Sequence, residues 1–130
     1  MATLFDHPPV VATPRPGRHL RGRRPANKMN GTERRYADLL SLRMAAGEVL
    51  WWAFDAVKLR LAPSTFYEPD FMVMVSSGDL EIHETKGSHI EDDAIVKLKV
   101  AQTLFPLRFF LCMERRKGAG FEVREIDSKA

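Results

Sequence analysis

Cysteine is all but missing: a single thiol, Cys112, occurs in 130 residues. No disulfide can form within the chain, and a reducing compartment suits it. Paired Cys/His spacing is absent as well, which argues against a zinc site. No apolar run is long enough to cross a membrane, and the first residues lack the basic-then-apolar order of a signal peptide. These absences predict a soluble, cytoplasmic protein with no membrane partner. Internal repeats are also lacking, which excludes solenoids and arrays. Cys112 lies in the apolar run Phe109-Phe110-Leu111-Cys112-Met113, where a buried, inert thiol is expected.

What is present suffices for one domain. The hydrophobic fraction is 45% and the charged fraction 28%, ordinary values for a soluble protein with a core of its own. The formal net charge of +3 is unevenly spread. Residues 1–30 hold six basic side chains against one acid, a local charge of +5; the rest hold 14 against 16, or −2. Five of the eight prolines stand at 8, 9, 14, 16 and 25. Residues 1–28 therefore read as a basic Pro/Arg-rich tail without a stable fold, either a solubilising leader or an arm for phosphates. A folded domain is expected over 29–130.

Hydrophobic spacing orders that domain. Asn30 or Thr32 can cap a helix, Glu33 suits the positive end of its dipole, and Gly47 ends it. Glu33, Ala37, Leu40 and Met44 share one stripe, so Glu33 is carried to the end of a buried face. Glu48–Phe54 reads as an aromatic strand, and Val57–Leu61 alternates as a second, followed by a turn at 62–65. A hairpin follows, one arm Tyr67–Val75 and the other Leu80–Lys86, around a Ser76-Ser77-Gly78-Asp79 turn. A second helix spans about 91–104 and stops before Pro106, with Ile95, Leu98, Ala101, Gln102 and Phe105 facing inward. Leu107–Met113 is a buried strand, and Phe121–Ile126 alternates as an edge. Helix, three or four strands, helix and two strands make an α/β (α+β) fold: a mixed central sheet flanked by helices. The crossover helix requires the Glu84 and Phe109 strands to run parallel, joined right-handedly.

The hairpin carries the chemistry. Side chains two apart on a strand share a face, so Glu84 and Lys86 emerge together, beside Leu80 and Ile82. A carboxylate and an ammonium at the rim of an apolar face are costly to keep there. Asp70, directly after Pro69, enters the other arm. Magnesium bound by carboxylates and water can activate a nucleophile, offset extra negative charge and assist a leaving oxygen at a phosphodiester. Asp70 and Glu84 are the candidate ligands, with the backbone carbonyl of Thr85 a third oxygen and Glu33 joining directly or through water. Lys86 would orient the water or stabilise developing charge. Alone, Pro-Asp is a common turn and Glu-x-Lys a common solvated pair; their order along helix, strands and helix gives them weight.

From Asn30 to about Ile126, roughly three quarters of the chain, the sequence resembles the PD-(D/E)xK nuclease superfamily, with Pro69-Asp70 and Glu84-Thr85-Lys86 as the signature. The stretches Asn30–Ala37, Tyr67–Phe71, His83–Gly87 and Asp93–Lys99 are similar to small phage-encoded proteins of the endonuclease I-like, Holliday-junction-resolvase-like branch. That resemblance implies a restriction-endonuclease-like core and hydrolysis of DNA with Mg²⁺, for which Mn²⁺ can substitute. It implies Glu33, Asp70, Glu84 and Lys86 as the catalytic set, and the bacterial cytoplasm as the setting. A homodimer would accord with selectivity for branched DNA.

Other residues are weighed with the same chemistry. Lys97 on the second helix could reach a phosphate, His89 lies in the link beside the cleft, and Arg115, Arg116 and Lys117 form a basic turn. His83 points to the face opposite Glu84 and is read as packing rather than ligand. Trp51 and Trp52 could stack on bases, but an apolar strand makes at least one of them core. Two other readings remain: a non-catalytic nuclease-fold module that binds DNA or a phage or host protein, and an exonuclease of recombination or repair.

Overall fold

The computed structural model describes residues 28–87 and 92–127. The expectations for the tail over 1–27, for His89 and for a helix start at Glu91 fall outside the described residues. The elements are α1 (Gly31–Ala45), β1 (Val49–Phe54), β2 (Leu59–Ala62), β3 (Thr65–Tyr67), β4 (Phe71–Val75), β5 (Leu80–Lys86), α2 (Asp92–Leu104), β6 (Arg108–Met113) and β7 (Glu122–Glu125).

Local chemistry sets the start and stop of α1. The Asn30 side chain accepts the Glu33 N–H at 2.8 Å while the Glu33 carboxylate accepts the Asn30 N–H at 2.9 Å. This reciprocal capping box satisfies two donors that a helix start leaves open. At the other end Gly47 takes φ +83°, a conformation that glycine adopts without strain. Glu33, Tyr36, Ala37 and Leu40 are buried along one face. Met44, expected on that stripe, is 46% exposed: it sits in the last turn, where the helix reverses at Ala46-Gly47.

Five strands form a mixed sheet in the order β1-β4-β5-β6-β7. Every neighbouring pair is antiparallel except β5 and β6, which run parallel and are connected through α2. A parallel pair needs such a crossover, so this pairing agrees with the sequence pattern. β7 lies at the edge with all four side chains exposed, while Ile126 behind it is buried.

The arm expected to run unbroken from Tyr67 to Val75 is divided. Thr65–Tyr67 is β3, paired antiparallel with β2 in a separate two-stranded sheet, and β4 starts only at Phe71. Pro69 has no N–H to give a ladder, which suits it to the link between the two. The turn placed at 62–65 thus loses Thr65 to a strand, and five strands precede α2 rather than three or four.

Each sheet face has its own core. Tyr36, Leu40, Val49, Phe54, Phe71, Val73 and Cys112 pack together on the α1 side. Tyr67, Ile82, Leu98, Ala101, Phe109, Leu111 and Ile126 pack on the α2 side, where Leu59 and Leu61 of the small hairpin join them. β5 divides its side chains between the two: His83 touches Tyr36, while Ile82 lies among the α2-side residues. Among the described residues no helix is long and apolar enough to cross a membrane.

Candidate active site

Register brings the two central acids together. Phe71 of β4 pairs with His83 of β5, so the next step of the ladder sets Asp70 beside Glu84. Three segments then enclose a cleft of about 300 Å³: the start of α1 with Asn30, Thr32 and Glu33, the β3–β4 link with Glu68 and Asp70, and the end of β5 from Glu84 to Gly87. The four residues expected to form the catalytic set, Glu33, Asp70, Glu84 and Lys86, all line it.

Each of these side chains is held. Asp70 Oδ2 accepts the Thr85 N–H at 2.9 Å and the Thr85 hydroxyl at 2.8 Å. Glu84 Oε1 accepts the Tyr67 hydroxyl at 2.8 Å, and its Oε2 lies 3.3 Å from Lys86 Nζ. Glu33 is 4% exposed, with Oε1 bonded to the Asn30 N–H, so it caps its own helix as well as lining the cleft.

The electrostatics are unfavourable to bare carboxylates. Burial raises the Asp70 carboxyl well above the usual carboxylate range, and the charges of Glu84 and Glu33 add to this against the two Thr85 bonds. Burial also raises Glu84, opposed by Lys86 and by the Tyr67 hydroxyl. The Tyr67 phenol is raised in turn, by burial and then by Glu84. Four carboxylates, Glu33, Glu68, Asp70 and Glu84, face one ammonium, Lys86.

That donor set is all oxygen and over-supplied with negative charge, which fits a hard divalent cation. Among the described residues no three His, Cys, Asp or Glu side chains are gathered closely enough to hold a metal by themselves. A bound cation would therefore rest on Asp70 and Glu84, with backbone carbonyl and water oxygens filling the shell, as magnesium generally accepts.

Other expected site residues stand elsewhere. Lys97 is half-buried on α2 and does not line the cleft. Arg115, Arg116 and Lys117 are exposed on the β6–β7 turn, also outside the lining, and Arg115 is paired with Glu122. His83 is buried, its Nδ1 2.5 Å from the Tyr36 hydroxyl and its Nε2 2.9 Å from Glu81, so its role is packing and hydrogen bonding. Trp52 packs edge-on to Phe71 in the α1-side core. Cys112 is buried, and burial pushes its thiol up to about 12, an unreactive state.

Two side chains that support the cleft escaped the sequence reading. Tyr67 was visible only as an aromatic in a strand, yet it fixes one oxygen of Glu84. Glu114, directly before the basic turn Arg115–Lys117, is 3% exposed and ties the cleft together. It takes Arg35 in a bidentate pair at 2.7 and 2.8 Å, the Thr32 hydroxyl at 3.2 Å and the Gly118 N–H at 3.2 Å. Its own N–H reaches the Lys86 carbonyl at 2.8 Å. The Arg35 bond leads in holding its carboxyl down at about 2. The available signal was strand phase: Glu114 continues the series Phe110, Cys112 on the α1-facing side of β6.

The chain matches no family model, no curated protein and no solved structure.

Proposed function

We propose that this chain is a divalent-metal-dependent endodeoxyribonuclease that hydrolyses DNA phosphodiester bonds, with Mg²⁺ as its cofactor and Mn²⁺ able to substitute. The observation that carries the reading is the convergence of Asp70, Glu84, Lys86 and Glu33 on one cleft at the end of β5. The parallel β5–β6 pair joined through α2 accords with the restriction-endonuclease-like core that the PD-(D/E)xK resemblance implies. A resolvase-like preference for branched DNA, and a homodimer to deliver paired cuts, belong to the same resemblance.

When bound, the metal would supply Lewis acidity and an activated water. The chain's own groups do the rest. Thr85 fixes Asp70 through two bonds to one oxygen, and Tyr67 with Lys86 fixes both oxygens of Glu84. A rotamer so constrained presents its charge without reorganisation. The Lys86 ammonium stands beside Glu84 at the cleft, where it can offset the negative charge that grows on a phosphoryl oxygen and steer the attacking water. Burial on the apolar side of β5 lowers the local dielectric and strengthens that effect.

The test is nicking of covalently closed circular DNA with Mg²⁺, which an endonuclease performs and an exonuclease, needing ends, does not. Asp70→Asn should abolish nicking, and Lys86→Ala should slow it by about 10²–10³-fold. Retained cleavage by both variants would falsify the site. A non-catalytic module is favoured by one observation: no three metal-binding side chains are drawn together among the described residues. Calorimetric titration with Mg²⁺ separates the readings, since neither heat nor nicking would leave the module.

A further inference from the structure

The cleft poses a problem for a polyanion. Its lining sets the carboxyls of Asp70 and Glu84 against the single ammonium of Lys86, so it offers a phosphate little to hold until a cation binds, and the grip on nucleic acid must come largely from outside the lining. The small β2–β3 hairpin lies at its rim. Leu59 pairs with Tyr67, whose hydroxyl binds Glu84, so Lys58 stands across from the link that starts at Glu68. Leu59 and Leu61 pack toward α2, and the alternate residues turn the other way: Arg60 is exposed, opposite Phe66. The Lys58 ammonium sits 4.3 Å from the centre of the Phe66 ring, which positions the charge without neutralising it. No described carboxylate forms an ion pair with Lys58 or Arg60. The two residues are two apart along extended backbone, a Cα spacing of about 7 Å.

We propose that the β2–β3 hairpin is a phosphate-contacting arm, in which Lys58 and Arg60 grip the DNA backbone beside the cleft independently of base sequence. The hairpin lies on the α2 side of the sheet, whereas Glu114 anchors the basic β6–β7 turn to α1. A duplex crossing the cleft would thus meet cations on both sheet faces, Lys58 and Arg60 on the hairpin and Arg116 and Lys117 on the β6–β7 turn. This rests on the reading of the cleft as a DNA-cleaving site.

The experiment measures anisotropy of a labelled duplex of about 30 base pairs with the full chain in EDTA, across roughly 50–200 mM salt. Lys58→Gln/Arg60→Gln should weaken binding and lower the slope of log affinity against log salt by about 1.8, near 0.9 for each phosphate no longer neutralised. Arg60→Gln alone, an exposed change that spares the fold, should lower it by about 0.9. Unchanged affinity and slope in a folded variant would overturn the arm, whatever nicking shows. So would a wild-type chain that does not bind the duplex. Binding that depends on Lys58 and Arg60 without nicking in Mg²⁺ would uphold the arm and remove the cleavage reading.

Discussion

At Asp70, stability and the proposed function pull in opposite directions. Its carboxyl is raised first by burial and then by the charges of Glu84 and Glu33, so ionising it without a cation opposes folding. The linkage sign follows: the folded chain binds the proton more tightly than the unfolded one, so stability is greater at low pH. It falls as pH rises from the ordinary value of 3.8 through the raised folded value. Asp70→Asn keeps the shape and removes the charge. Metal-free thermal melts at neutral pH should place the variant above wild type, while nicking is lost; a lower melting temperature would contradict the electrostatic strain at Asp70. Glu84 and Lys86 were legible because strand alternation puts side chains two apart on one face, a rule that needs no tertiary information, and Asp70 because it directly follows Pro69. Tyr67 and Glu114 were not, since each acts through partners 17 and 79 residues away.

Among the elements, α1 does double duty, since the residues that start it also line the cleft. Asn30→Ala removes the acceptor for the Glu33 N–H and should cost about 1 kcal/mol in urea unfolding. The same change loosens Glu33, so slower nicking should accompany it; full activity at reduced stability would leave Glu33 a cap alone. Glu114 locks α1 to the ends of β5 and β6 through Thr32, Arg35 and the Lys86 carbonyl. Its carboxyl lies below its ordinary 4.5, at about 2, chiefly through the Arg35 bond. The depressed value means that its stabilisation is complete above pH 4.5 and is lost as pH falls toward 2. Glu114→Gln should lower the melting temperature at neutral pH and flatten its decline over that acid window; an unchanged acid limb would refute the assignment. Element starts and stops were readable where one residue decides them, as at Asn30, Gly47 and Pro106. The division at Pro69 was not, because pairing of β3 with β2 rather than with the main sheet depends on Leu59 and Tyr67 meeting α2-side residues. The mixed sheet and its parallel pair were legible, since a helix between two strands admits few connections.

At the scale of the whole molecule, the cleft lies where the start of α1, on one sheet face, meets the end of β5 and the Tyr67–Asp70 link from the other. Its repulsion is consequently felt by the entire domain, and a ligand that relieves it must stabilise the entire domain. A cation that binds only the folded chain adds RT ln(1 + [L]/Kd), about 2.7 kcal/mol at a hundredfold excess over Kd. Protons compete for the same oxygens, and burial raises both Asp70 and Glu84, so the metal's contribution must shrink as pH falls through their raised values. Thermal melts across a grid of Mg²⁺ concentration and pH should show two trends. Metal-free wild type gains stability toward mildly acidic pH, before the loss at Glu114 sets in, and the Mg²⁺ increment grows toward neutral pH. In Asp70→Asn both trends should diminish together, because Asp70 contributes both to the repulsion and to the proposed metal shell. An equal Mg²⁺ increment in the variant would move the cation away from Asp70, and a pH-independent increment would remove the two buried carboxylates from its shell.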